Sequence, residues 1–350
     1  MADRAVCETK PLLYLSLFFG YYQDLHLSYR IRLLLKFYCL FVFVILTMAY
    51  YFFIGTYTWY MIMFSYSEYA LLALCCLYFN DHHILDYYQY NPYIDGTPIS
   101  TEFISLNRVL NKYIPAILIV ELTFDTIFNY IYFGSDFNNV HVVIITASVG
   151  MSTQIRRLPM LLVFLLSYYR VKIMRETLEQ SSFNNTSSRR FRPQECIQMY
   201  DTFMDTIEKT DFFVKIRCVI TFIGVMFLTI GEIYVTLDNM QKPTFSYKSI
   251  FWIILIHVIE TQSLTISAVL QDLIKDNLQK MKIVIIEKRI STKNERERAE
   301  IQKLYHLMQN RPYEYALARI VPLSLRSLLC FVSYITTTVI AILQIKRQGD

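Results

Sequence analysis

The chain has 350 residues, of which 54% are hydrophobic and 18% charged, with a formal net charge of +5. Soluble domains are about 45–50% apolar, a small difference, but here the apolar residues gather into long runs parted by charged segments, which excludes an ordinary soluble globule. The pattern is that of a polytopic, all-α integral membrane protein. Eight glycines are too few for Gly-x-x-x-Gly pairs to organise the bundle, while the 28 tyrosines suit membrane–water interfaces.

The first apolar run, residues 11–22, lies behind Asp3, Arg4, Glu8 and Lys10. It is too short to span and has no small-x-small cleavage site, so it reads as an amphipathic segment at the inner membrane face rather than a cleavable signal. The first span is expected over residues 33–54, with Lys36 snorkelling to the headgroups. A short turn around Gly55 leads into the second, 57–79, so these two form an antiparallel hairpin. Further spans are expected over 113–133, 141–169, 212–235, 250–270 and 321–345, making seven in one membrane domain that fills the chain. The fourth is too long for the bilayer alone and should project on the inside. The polar connections 170–211 and 271–320 read as helical extensions below the membrane, since 194–209 and 294–309 are charged and periodic. A Ser- and Asn-rich patch, 181–190, interrupts the first of them.

Orientation follows from the basic residues. Of 34 Lys and Arg, 28 fall on the side of the N-terminus. Four fall on the other (Lys242, Lys248, Lys346 and Arg347), and Arg156 and Arg157 lie inside the fourth span, towards its inner half. The N-terminus is therefore expected in the cytoplasm and the C-terminus outside, the opposite of a G-protein-coupled receptor. On this topology the sequons at Asn184-Asn185-Thr186-Ser187 face the cytosol and stay unmodified.

Ionisable groups within spans cost about 2.5–3.5 kcal/mol at a helix centre, so they turn inward. Glu68 lies near the middle of span two, Glu121 and Asp125 one turn apart on span three, Glu232 on span five, and His257 and Glu260 on span six. By depth, Tyr60, Asp125, Glu232 and Trp252 fall in the outer half, with His257 deeper. Together they would make an aromatic and acidic pocket for a hydroxyl-rich or amine-bearing ligand. The competing reading is that each of these groups hydrogen-bonds between helices and sets packing.

Nothing points to an enzyme. There is no phosphate-cradling glycine loop, no nucleophile elbow and no zinc-protease motif. His82, His83 and Asp86 do not make a metal site, because adjacent histidines on a helix diverge and no second cluster completes a shell. No cofactor or metal is expected. The seven cysteines lack zinc-site spacing and none falls in an expected outside loop, so no disulfide is expected. The basic stretches 189–192 and 288–298 suit anionic lipid of the inner leaflet rather than nucleic acid, although Glu295 and Glu297 make a solvated helix face an equal reading of the second.

The last span carries the most specific clue. It contains Thr337-Thr338, five apolar residues Val339-Ile340-Ala341-Ile342-Leu343, and then Gln344-Ile345. This resembles the terminal motif of insect gustatory receptors, Thr-Tyr, five apolar residues and Gln-Phe, with Thr338 in place of Tyr and Ile345 in place of Phe. The approach Pro322-Leu323-Ser324-Leu325-Arg326-Ser327-Leu328-Leu329 and the charged helix at Glu300-Ile301-Gln302-Lys303-Leu304 are similar to that family as well, as is the short tail. The resemblance implies a tastant-gated, non-selective cation channel in the plasma membrane of a sensory neuron dendrite, needing no G protein. It would be a homo- or heterotetramer with other gustatory receptor subunits, held together by the cytoplasmic extensions. The seventh helix would line the pore, with Thr337, Ile340, Leu343 and Gln344 as lining or gate, and the tastant would bind in a pocket opening outward.

A lone Gln344 at the outer end of an apolar helix needs water or a partner. On four symmetric helices it would form a polar ring beside a dewettable ring from Leu343 or Ile340; otherwise it simply reaches the headgroups. The alternatives are a G-protein-coupled chemosensory receptor of opposite topology and a polytopic transporter. The first would show an outside cysteine pair, an Asp-Arg-Tyr end to span three and an Asn-Pro-x-x-Tyr in span seven; Asn91-Pro92-Tyr93 lies in a loop. The second would show repeated halves with broken helices.

Overall fold

The computed structural model describes residues 9–25, 27–52, 59–79, 83–89, 94–95, 101–133, 148–152, 154–180, 193–240, 247–314, 316–317 and 321–349. They fold into helices, apart from one antiparallel pair of two-residue strands, β1 (Ala316–Leu317) and β2 (Val321–Pro322).

Helix α1 (Lys10–Phe18) opens with a proline in its first turn, where the missing N–H costs nothing. It buries Leu12, Leu13 and Leu17 and leaves Tyr14 and Phe18 exposed. Gly20, at φ 83°, turns the chain back, and Tyr21 and Tyr22 enter the core. An L side chain disfavours that left-handed φ, which is why glycine stands there.

Helix α2 (Tyr29–Phe52) and α3 (Trp59–Phe79) run antiparallel, since Phe43 stacks on Tyr69 while Tyr50 packs on Tyr66. Leu34, Phe37, Phe41, Val44 and Met48 of α2 are exposed, a face that suits lipid and not water. Among the described residues two helical segments are long and apolar enough to cross a membrane, Tyr29–Tyr51 and Phe212–Gly231, and Leu325–Ala341 is a shorter apolar one. The turn around Gly55 lies outside the described residues.

After the short α4 (His83–Tyr87) comes α5 (Thr101–Arg108), which passes through one π turn, Val109–Tyr113, into α6 (Ile114–Phe133). Pro115 supplies the reason for the wide turn. It cannot donate to the carbonyl of Asn111, and the Ile114 N–H reaches back to the Val109 carbonyl instead.

Within the span expected over 141–169 the helix is interrupted. Residues 148–152 are helical, residues 156–157 form a turn, and α7 (Leu158–Gln180) starts afresh. Pro159 is the cause, because it cannot bond the carbonyl of Ile155 and restricts the residue before it. Residues 141–147 lie outside the described residues.

Helix α8 (Pro193–Met240) has 48 residues and α9 (Tyr247–Ser291) has 45. At 1.5 Å per residue, α8 is about 72 Å long, more than twice a hydrocarbon core of ~30 Å. Helix α10 (Glu295–Asn310) is capped by Asn294, whose side chain accepts from the Arg296 N–H at 3.1 Å. The β1–β2 pair then turns the chain into α11 (Leu325–Gly349).

Helices α3 and α8 run antiparallel: Phe79 meets Phe213, Arg217 meets Cys76, and Gly224 meets Glu68. Helix α7 packs chiefly along α9. Helix α8 touches α3, α7, α9, α10 and α11, so it is the central strut of the chain.

Candidate functional site

The start of α11 is pinned twice. The Leu325 N–H donates to Asp272 Oδ2 of α9 at 3.0 Å, and the Ser327 N–H donates to Ser324 Oγ at 3.1 Å. From there one side of the helix packs on α8. The Phe331 ring sits 4.9 Å from that of Phe222, and Ile335 and Val339 are buried against Met226 and Ile230.

The opposite side of α11 is open. Thr337, Ile340 and Gln344 are exposed and fall at i, i+3 and i+7, one stripe of the helix. Three threonine hydroxyls on this helix turn inward to its own backbone: Thr336 donates to the Val332 carbonyl, Thr337 to Ser333 and Thr338 to Tyr334, at 2.9, 3.0 and 2.9 Å. That pairing satisfies a hydroxyl where water is scarce. The sequence reading grouped Thr337, Ile340, Leu343 and Gln344; three of these share the open stripe, and the Leu343 side chain lies outside the described residues.

The expected ligand pocket is carried by four helices: Tyr60 on α3, Asp125 on α6, Glu232 on α8, and Trp252 and His257 on α9. Their side chains, with that of Glu260, lie outside the described residues. Glu121, one turn from Asp125, is buried.

A second constellation is fully described. The side chains of Glu68, Arg156 and Arg157 are completely buried. Arg157 grips the carboxylate with two prongs, Nε to Oε1 at 3.0 Å and Nη2 to Oε2 at 2.9 Å. Arg156 Nη2 lies 2.6 Å from Oε2, and its Nη1 donates to the Ser65 carbonyl at 3.0 Å. Tyr21 donates to the Ser152 carbonyl at 2.9 Å, and Tyr50 shares a hydrogen bond with Ser152 Oγ at 3.3 Å. Glu68 and the arginine pair each stood out in the sequence as charges within apolar runs, but separately. The signal that joins them is charge complementarity: neither is stable in hydrocarbon alone.

Below this level the helices are clamped by further charges. Arg170 of α7 bonds Asp95 at 3.1 Å and the carbonyls of Tyr87 and Gln89 at 3.0 and 2.9 Å. Arg311, after α10, meets Asp201, Asp205 and Glu208, which lie on one face of α8. Hydrogen bonds to Glu208 and Asp205 raise the Arg311 pKa. Tyr200 donates to the Arg311 carbonyl at 2.7 Å, and burial pushes its phenol up to about 12 against the opposing pull of Arg311. Among the described residues no group of His, Cys, Asp and Glu is arranged to hold a metal ion.

No protein-family model and no curated protein matches this sequence. Solved structures do match in fold. The structure of the insect olfactory receptor OR5 from Machilis hrabei aligns with a TM-score of 0.65 at 11% identity, covering 96% of this chain and 97% of that one. The same receptor in complex with eugenol aligns with a TM-score of 0.67 at 12% identity, over the same shares of both chains. This chain therefore has the helical fold of an insect olfactory receptor, and neither match is an enzyme.

Proposed function

We propose that this chain is a subunit of a chemosensory, ligand-gated cation channel, of gustatory type, in the plasma membrane of a sensory neuron. The observation that carries the reading is the fold likeness over nearly the whole of both chains. The open stripe of α11 and the terminal motif around Thr337 and Gln344 support a pore along that helix.

Seven spans would place the N-terminus inside and the C-terminus outside. Four copies around one axis would bring the stripes of α11 together. Gln344 would then form a polar ring, with Ile340 and Leu343 as a hydrophobic constriction that conducts when widened enough to wet. The threonine hydroxyls, held to their own backbone, would leave a smooth wall between the two rings. The parts of α8 and α9 beyond the bilayer, with α10, would join the subunits below the membrane. A tastant bound among Tyr60, Asp125, Glu232, Trp252 and His257 would touch α8 and α9 directly, and α8 supports α11 along Phe222, Met226 and Ile230. A ligand opens such a pore only to the extent that it binds the open arrangement more tightly.

The test is native mass measurement of the detergent-solubilised protein, followed by planar-bilayer recording with sucrose, quinine and eugenol. A four-subunit mass and a cation current that at least one compound increases are the expected results. A monomer that conducts nothing under any condition would overturn the reading. Tags at each end, stained in intact and permeabilised cells, check orientation independently: an exposed N-terminal tag would favour a G-protein-coupled receptor.

A further inference from the structure

The buried Glu68 cluster does not belong to the pore stripe, and its position on the scaffold is specific. Among the described residues one carboxylate faces two guanidiniums, with all three side chains inaccessible. Arg157 holds the carboxylate with two hydrogen bonds, while Arg156 Nη2 meets it as an ion pair, and among the described residues neither Nε nor Nη2 of Arg156 has a hydrogen-bond partner. Bound by both guanidiniums at once, the carboxylate is held in place between α3 and the segment before α7.

The same carboxylate rests on Gly224 of α8. A Cβ at that position would lie 2.5 Å from Glu68 Oε2, 2.8 Å from Cδ and 3.0 Å from Cγ. A free glutamate tip would swing away, but this one is held by both arginines, so the contact sets how close α8 comes to α3. Gly224 is two residues from Phe222 and two from Met226, which at 100° per residue is about 200° around the helix from each. One side of α8 therefore leans on the charge cluster and the opposite side carries Phe331 and Val339 of α11. The arginines themselves sit at the break that Pro159 makes before α7, and Ser152, just ahead of it, is tied to Tyr21 and Tyr50.

We infer that Glu68, Arg156, Arg157 and Gly224 are a positioning device that sets the resting seat of α8 and, through it, how readily α11 moves. This rests on the channel reading above, because the movement it controls is that of the pore helix.

The experiment uses full-length protein in planar bilayers. Open probability, with and without sucrose, quinine and eugenol, is recorded beside single-channel conductance and reversal potential. The variants are Arg156→Gln, Gly224→Ala, and Gly224→Ala combined with Glu68→Asp, whose shorter side chain makes room for the new methyl. The first two are expected to change open probability by about tenfold and to leave conductance and reversal potential alone. The double variant is expected to return towards wild type. A group that merely holds the fold together would lower the number of channels without this split. A conducting wild type with indifferent variants overturns the inference alone, whereas a wild type that never conducts overturns the channel reading with it. If Gly224→Ala is not recovered as folded protein, Arg156→Gln decides, because it leaves the two-pronged Arg157 pair whole.

Discussion

Arg170→Met tests how the lower bundle is held. The guanidinium is buried, bonds Asp95 at 3.1 and 3.4 Å, takes the Tyr87 and Gln89 carbonyls, and lies 5.5 Å from the Tyr87 ring centroid. Methionine keeps much of the volume but leaves a buried carboxylate without its guanidinium. Removing one member of a buried ion pair costs about 3–5 kcal/mol, and at roughly 2 °C per kcal/mol for a large domain that is a fall of about 6–10 °C in Tm. The thiols of Cys39, Cys76 and Cys218 are buried while that of Cys330 is exposed, so unfolding is read as the rise in thiol-reactive dye signal above the folded baseline. Asp95→Asn should cost less, since Arg170 keeps both carbonyls. Arg170→Met with Asp95→Leu should recover part of the loss, because no charge is then stranded. A single Arg170→Met variant that melts within about 1 °C of wild type would refute the reasoning.

Gly20→Ala places a side chain at φ 83° and 3.2 Å from Val42 Cγ1, so it should destabilise by about 1–2 kcal/mol; an unchanged Tm would mean that this turn does not hold Tyr21 in place. Tyr200 has a folded pKa of about 12 against an ordinary 10.0, so the stability that its neutral form provides is whole below pH 10 and drains away as pH rises to 12. The loss approaches about 2.7 kcal/mol, and Tyr200→Phe, weaker near neutrality by about 1 kcal/mol for its missing hydrogen bond, should show a flatter alkaline limb in pH-dependent melts. On the channel reading, Thr337→Cys and Gln344→Cys should lose current to charged thiol reagents while the buried Val339→Cys does not; equal sensitivity at all three would remove α11 from the pore.

Much of the architecture can be read locally. Long apolar runs must be helices in a bilayer, because no other open structure satisfies its own backbone there, and the polar extensions at 194–209 and 294–309 show helical periodicity in their own residues. Two local departures are legible in the prolines. Pro159 stands inside the fourth apolar run and Pro115 at the head of the third; each removes one N–H, and the backbone answers with a break in the first case and a π turn in the second. Gly20 likewise marks the turn that carries Tyr21 inward.

What the sequence determined by itself is therefore one-dimensional: which stretches are helical, and that Thr337, Ile340 and Gln344 fall on one stripe of the last helix. Partner choice was decided only by the tertiary structure. Glu68 could have met either acid or base on any neighbouring helix, and only packing puts it against Arg156, Arg157 and the bare backbone of Gly224. Arg311 finds Asp201, Asp205 and Glu208 about a hundred residues back along the chain. Helical periodicity tells which face a residue shares with its near neighbours, but not which other helix covers that face; that choice is made by the whole bundle, where a buried charge settles only beside its complement.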